Sequence, residues 1–427
     1  MRNTVSRRTI LAGAGIAGVT GIAGCLDGLD PGDDELPEPD EVDPAGVDDG
    51  YTVELGILHG VSGGLGTLGP PIRNASELPV SQLEDEGVPV EFDVQFEDTE
   101  TDPDVGQSNA QTLINAGYPM INGALASDVT HPVISNETID AEVVTCSPAS
   151  TDADLSDVDD DGYFFRTAPS DVFQGEVLAN VALDTIEAST TATLYRNDAY
   201  GEGLAEKYVE SFEDQGGDVL NEVSFEPETA PYVSDLESAL GDDPDVLFIV
   251  GFPESGVDIF RDFYDEFDDG TDILVPDGLA DGSLPDEVGN EMANVRTTAP
   301  GADGPDIDSF QDLYEDTYDA SPQVFNAHAY DASAVLILAN ISAGENDGPS
   351  IRNHMRSVTD GEGETFGPGE LAEAVETIAA GDRVTYRGAS SEVVFDEYGD
   401  VTSGTYNIME FGDEDLELVD SATFGDE

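Results

Sequence analysis

Apolar runs of four to six residues recur along residues 51–411, each bounded by turn-forming residues and followed by a stretch whose apolar positions return every three or four residues. Short bounded runs predict buried strands and the wider period predicts amphipathic helices. The pattern is clearest at residues 121–174. There Tyr118–Asn122 runs into Gly123-Ala-Leu-Ala-Ser127, and Ala141–Thr145 runs into Ser147-Pro-Ala-Ser-Thr151. A helix over Asp128–Thr138 between them makes a βαβ unit. Ligands of open parallel sheets sit beyond the carboxyl ends of the strands, so both small polar loops face one crevice. Their hydroxyls and backbone N–H groups suit a carboxylate or another small anion.

The same beat predicts further strands at Val53–Leu58, Val90–Phe96, Tyr163–Thr167, Thr191–Tyr195, Val219–Phe225, Val246–Val250, Ile273–Val275 and Val295–Ala299. Helices are expected over Ile72–Glu86, Gly106–Asn115, Gly175–Ala188, Gly201–Gln215, Tyr232–Leu240, Gly256–Phe267, Ile307–Tyr318 and Asn326–Ala343. Strand and helix in alternation define an α/β fold with parallel sheets. The closing stretch, Glu392–Phe395 with Tyr406–Phe411, reads as a strand hairpin. About 380 residues follow residue 50, enough for two lobes with a large core.

The ends of the chain differ from this body. Ser6-Arg7-Arg8-Thr9 precedes a weakly apolar stretch to Gly24, the pattern of a twin-arginine export signal. That stretch is short and glycine-rich for a membrane span. Cys25 after Ile-Ala-Gly has the form of a lipobox, whose cysteine is lipidated after cleavage. Residues 26–50, rich in Asp, Glu, Pro and Gly, form a tether from lipid to domain. Cys146 is then a lone thiol in a strand, and neither cysteines nor histidines are spaced as metal ligands.

Charge changes the expected setting more than the expected ligand. Against 94 acidic residues stand 13 basic ones, for a net charge of −81, spread too evenly to be an acidic tail. Such a surface repels nucleic acid and anionic membranes at low salt. At multimolar salt the screening length is about 3 Å or less, which points to halophilic adaptation. No calcium loop of EF-hand spacing occurs. Gly64-Leu-Gly66-Thr-Leu-Gly69 satisfies the dinucleotide pattern, but the acidic residues some 20 positions on, Glu84–Glu86, occupy a helix end rather than a second strand tip. Gly-x-Ser-x-Gly is absent, and paired carboxylates carry no catalytic signal in so acidic a chain.

Val61-Ser-Gly63, Gly123-Ala-Leu-Ala-Ser127, Ser147-Pro-Ala-Ser-Thr151, Phe165-Arg-Thr167, Asn197-Asp-Ala-Tyr-Gly-Glu-Gly203 and Asp277-Gly278 come in one order. Together they resemble the solute-binding proteins of branched-chain amino-acid ABC importers, here as a haloarchaeal-type lipoprotein. The resemblance covers Tyr51 to Phe411 and implies a type I periplasmic-binding fold, two Rossmann-like lobes with parallel sheets joined by three hinge crossings. It sets the first lobe at residues 51–169 and 298–370 and the second at 170–297 and 371–427.

Carried over residue by residue, the resemblance puts the carboxylate-binding hydroxyl at Ser127, helped by the backbone and hydroxyl of Thr151, with Ser150 also at the ligand and the Ala149 carbonyl toward its ammonium group. The acidic ammonium partner falls on Asp277 and the aromatic cover on Tyr200. Leu68 and Phe252 stand where some amino-acid binders have tyrosines, which makes the side-chain pocket more apolar. The implied partners are a small solute, ABC permease subunits and, through Cys25, the membrane; no cofactor and no catalysis are implied. A pocket retuned to an amide, urea or an aromatic acid, a ligand-sensing surface lipoprotein and a secreted α/β hydrolase stand as alternatives. His59 and His131 are expected to be structural.

Overall fold

In the computed structural model, residues 7–9, 50–267, 270–412 and 415–425 are described. Cys25 and the tether lie outside the described residues. Of the export signal only Arg7–Thr9 is described, as a short strand along Ser421–Thr423.

Five parallel strands form the first sheet, in the order Val90–Asp98, Tyr51–His59, Met120–Gly123, Val144–Ser147 and Phe164–Arg166. The second sheet begins with five parallel strands, Asp218–Phe225, Thr190–Arg196, Val246–Val250, Asp272–Val275 and Val295–Pro300. Gly404–Phe411 and Leu416–Phe424 extend it in antiparallel sense. The fold is therefore the expected α/β pair of lobes.

Local chemistry sets the helix ends that aim the loops. The Asp102 carboxylate accepts the backbone N–H groups of Asp104 and Val105 at 2.9 and 3.0 Å, and Pro103 opens the helix Pro103–Ala116. Asp198 caps Ala199–Asp214 through the Gly201 N–H at 2.9 Å. At Gly69, the first residue of Gly69–Glu86, a Cβ would lie 1.9 Å from the Gly60 carbonyl oxygen, so only glycine lets the helix start against the end of the preceding strand. Pro70 and Pro71 follow at once. They remove two of the first-turn N–H donors that a pyrophosphate would use, which sets this loop apart from a dinucleotide site.

The chain crosses between lobes three times. It leaves the Phe164–Arg166 strand for the helix Asp171–Asn180, which packs on Ala199–Asp214 of the second lobe. It returns after Val295–Pro300 to Ile307–Tyr318, whose Tyr314 and Tyr318 hydroxyls donate to the Pro71 and Asn74 carbonyls. The helix Asn326–Ala343 that follows is apolar on all sides and buried over nearly its whole length, in contact with Gly69–Glu86 and the first sheet.

The third crossing lies later than the expected boundary at 370. Leu371–Ala379 buries Leu371, Ala374, Val375 and Ile378 and contacts Asn326–Ala343 and Gly69–Glu86. The adjoining strands Glu364–Phe366 and Val384–Tyr386 pair with each other. This packing keeps the chain with the first lobe up to Tyr386. The expected closing hairpin is also different. Val393 has a φ of +50°, which breaks strand geometry. Phe395 makes only a single bridge to Val401 and packs edge-on against Phe165 at 5.2 Å. Gly404–Phe411 pairs instead with Leu416–Phe424.

Two buried charges pin this crossing. Asp331 accepts from the Tyr386 hydroxyl at 2.6 Å, the Ala389 and Ser390 N–H groups at 2.9 and 2.7 Å, and the Ser390 hydroxyl at 2.5 Å. Arg166 is fully buried, bonded to Asp400 at 2.5 and 2.9 Å, and donates to the Ser150 and Asp152 carbonyls at 3.3 and 2.7 Å. It ties the second polar loop to the third crossing.

Candidate functional site

The polar loops at the carboxyl ends of Met120–Gly123 and Val144–Ser147 lock onto each other. The Ser147 hydroxyl donates to the Ala124 carbonyl at 2.6 Å and accepts the Ser150 N–H at 3.0 Å. Ser150 exchanges a 2.7 Å bond with the Thr130 hydroxyl and reaches the Leu125 carbonyl at 3.0 Å. Ser127 begins the helix Ser127–Val133 but is not its cap, since Ala126 holds that position. Its hydroxyl accepts the Asp152 N–H at 3.3 Å, so it bridges the two loops.

From the second lobe, Tyr200, Phe252, Asp277 and Gly278 face these loops across a cavity that also meets Ser127 and Ala149. Leu65, Leu68, Ile72, Leu125 and Phe325 supply its apolar wall. The pocket spans about 350 Å³ including space open to solvent, but only about 20 Å³ admits the centre of a water molecule. That is room for about one water, so the lobes must part to admit a solute.

Six of the eight residues expected at the ligand, Leu68, Ser127, Ala149, Tyr200, Phe252 and Asp277, line this one cavity. Ser150 and Thr151 do not. Ser150 is turned into the loop-to-loop bonds, and the buried Thr151 hydroxyl has no hydrogen-bond partner. Leu65, Ile72 and Phe325 were not singled out from the sequence, where they look like ordinary core residues. His59 bonds to Asn122 at 3.0 Å within the core, and burial holds its imidazole down at about 4. His131 bonds to Asp152 at 2.6 Å. Among the described residues no cluster of metal-ligating side chains occurs.

An aromatic ladder fixes the second-lobe wall. The Arg196 guanidinium lies 4.0 Å over the Phe252 ring, which stacks at 5.3 Å on Tyr200. The Tyr200 hydroxyl donates to Asp277 at 3.3 Å and accepts the Gly278 N–H at 3.1 Å. A Cβ at Gly278 would lie 2.5 Å from the Gly251 carbonyl and 2.8 Å from the Tyr200 hydroxyl, so glycine is what lets this corner close. Burial pushes the Asp277 carboxyl up to about 6, with the Gln174 amide and Tyr200 hydroxyl opposing. Its Oδ1 has no partner.

The cavity thus has a buried carboxyl at Asp277, the Ser127 hydroxyl on the facing loop, and an apolar wall. The sequence profile of the periplasmic binding protein family matches residues 52–384. The chain belongs to that family.

A substrate-binding protein of a chemotactic signal transduction system, BasB of Halobacterium salinarum, is 27% identical over 391 residues, which cover 88% of this chain and 92% of that protein. The branched-chain amino-acid transporter substrate-binding protein LivJ of Streptococcus pneumoniae, solved with isoleucine, is similar with a TM-score of 0.70 at 19% identity, over 86% of this chain and 99% of that one. A solute-binding protein of an ABC transporter from Rhodopseudomonas palustris, solved with 3,4-dihydroxybenzoic acid, gives a TM-score of 0.69 at 18% identity, over 88% and 98%. The two solved structures share the type I periplasmic-binding fold.

Proposed function

We propose that this chain is the extracellular, lipid-anchored solute-binding protein of an ABC importer, and that its solute is an α-amino acid with an apolar side chain. One observation carries the reading: a buried carboxylate with an unpartnered oxygen, Asp277, shares a small apolar-walled cavity with a hydroxyl and backbone cradle at Ser127 and Ala149. A zwitterion with an aliphatic or aromatic side chain complements all three parts. Its ammonium group meets Asp277 and the Ala149 carbonyl, and its carboxylate meets Ser127 with Thr151 nearby. Its side chain lies on Leu68 and Phe252, and Tyr200 covers it. Contacts from both lobes stabilise the closed form, which permease subunits recognise. The similarity to the isoleucine-bound transporter protein supports this choice.

Thermal unfolding of the protein in multimolar KCl, against the twenty amino acids, urea, short amides and benzoate, tests it. A solute at about 100 times its Kd adds roughly 2.7 kcal/mol. Shifts confined to leucine, isoleucine, valine or phenylalanine are expected. Shifts with benzoate or amides alone would overturn the zwitterion and leave the retuned pocket suggested by the dihydroxybenzoate-bound relative.

A second reading, a ligand-sensing surface protein, is favoured by the similarity to the chemotaxis protein BasB. Deleting the gene separates them: loss of solute uptake marks transport, whereas loss of a swimming response with uptake intact marks sensing. The anchor has its own test. Cys25→Ser is expected to release the mature protein from the membrane fraction, and retention there would sink the lipid anchor.

A further inference from the structure

Asp171 is the first residue of the helix that enters the second lobe, and it is fully buried. Neither of its carboxylate oxygens has a hydrogen-bond partner. An acidic residue in a first helical turn is ordinary, but at an exposed helix start water would satisfy its oxygens. Here the Thr151 hydroxyl lies beside it and favours its ionised form, yet stands outside hydrogen-bond geometry with either oxygen. The Gln174 Oε1, one turn on, and the Asp277 Oδ1 are also buried acceptors without donors. Four buried acceptor atoms, two carboxylates among them, therefore lack donors at this pole: the Asp277 oxygen on the cavity wall, and those of Asp171 and Gln174 behind it, outside the cavity lining.

Among the described residues no cation is bonded to them. Arg166, the cation whose charge reaches Asp171, has its guanidinium committed to Asp400, Ser156 and the Ser150 and Asp152 carbonyls. The other groups facing Asp171 are Asp277, Asp152, Tyr200 and Tyr406, and none brings a positive charge. Burial first, then the Asp277 charge, hold the Asp171 carboxyl well above the usual carboxylate range. Two like charges in a dry site cannot both stay ionised without a cation.

We propose that Asp171, standing behind Asp277 and Thr151, is the positioning residue that makes this pole selective for a formal positive charge, so that the cleft takes ligands bearing an ammonium group and rejects neutral amides and amine-free acids. The proposal rests on the amino-acid reading above. The incoming ammonium group supplies the missing donors and releases the proton that the carboxylate pair holds without it.

The test is calorimetric titration at pH 7 and multimolar KCl of the parent protein, Asp171→Asn and Asp171→Glu. The probes are leucine, isoleucine, valine and phenylalanine, each beside the acid that lacks its amine, such as 4-methylpentanoate for leucine. Each titration is run in two buffers of different ionisation enthalpy, which counts protons released. The parent is expected to prefer an amino acid over its amine-free analogue and to release a proton. Asp171→Asn should lose about tenfold or more of that preference and release fewer protons, and Asp171→Glu should keep both. The free Asp171→Asn protein should unfold at the parental temperature or higher, because a buried unpaired carboxyl is gone. If Asp171→Asn weakens both members of each pair equally, or leaves preference and proton count unchanged, the role of Asp171 is overturned while the amino-acid reading stands. If the parent binds no amino acid, or binds the amine-free acids as tightly, both fall together.

Discussion

Asp331 and the pair Asp171 with Asp277 are all buried carboxylates next to a chain crossing or the cleft, yet their surroundings are opposite. Asp331 receives four donors within 2.9 Å. Asp277 accepts the Tyr200 hydroxyl at 3.3 Å and keeps its Oδ1 unpartnered, and neither oxygen of Asp171 has a partner in hydrogen-bond geometry. Burial pushes both Asp331 and Asp277 up to about 6, so desolvation alone does not tell them apart. The donors do. A carboxylate that the fold satisfies is holding the fold together, whereas one that the fold leaves bare is held ready for something that arrives later.

Removing the satisfied member should damage folding most. Asp331→Ala strands four donors in the core and is expected to lower unfolding stability by about 4 kcal/mol in denaturant titrations. The affinity of the folded protein should stay near the parental value. A loss below about 1 kcal/mol would mean that water replaces the carboxylate and would blur the contrast.

Asp277→Ala should do the reverse. Breaking a buried charge pair costs about 3 to 5 kcal/mol, read here as lost amino-acid affinity by calorimetry, with free-protein stability unchanged or raised. An affinity within about 1 kcal/mol of the parent would show that Asp277 is not the ammonium anchor.

The pH dependence sharpens the same contrast. Burial raises the Asp277 carboxyl from its ordinary value of 3.8 to about 6. The folded, ligand-free protein therefore retains a proton that the unfolded chain releases, and this group's contribution to stability falls as pH rises from about 4 to about 6. An ammonium ligand needs the ionised form, so affinity should fall by up to about tenfold per pH unit below about 6. Affinity flat from pH 7 to pH 5 would remove Asp277 from the pole.

The smallest effect is expected at the cradle. Ser127→Ala leaves the Asp152 N–H and the ligand carboxylate one partner short and should lower affinity by about 1 kcal/mol. A loss as large as that of Asp277→Ala would reverse the order of the two poles.

Much of this was legible along the chain. The strands Val246–Val250 and Val295–Pro300 and the helices Ile307–Tyr318 and Asn326–Ala343 stand within a residue of where the apolar pattern predicts them, because burial against a sheet leaves a strong local period. The sequence reading has no element for the nine-residue helix Leu371–Ala379 or its flanking three-residue strands, so it places the third crossing too early. Of the six cavity residues expected from the sequence, Ser127, Ala149, Tyr200 and Asp277 lie in the motifs that carry the family resemblance, and Leu68 and Phe252 enter as departures from it. Leu65, Ile72 and Phe325 were not expected, since an apolar side chain on a cavity wall and one in the core carry the same local signal.

The sequence by itself determined the alternation of strands and helices, the two polar loops that end neighbouring strands, and a net charge of −81. These are properties of neighbours in the chain. Only the tertiary structure decided which carboxylates are satisfied. Asp171 looks in sequence like any acidic residue opening a helix, and Asp331 like a stray charge in an apolar one. What separates them is whether donors from segments some 55 to 59 residues away reach them, and that depends on how the three crossings bring the lobes together.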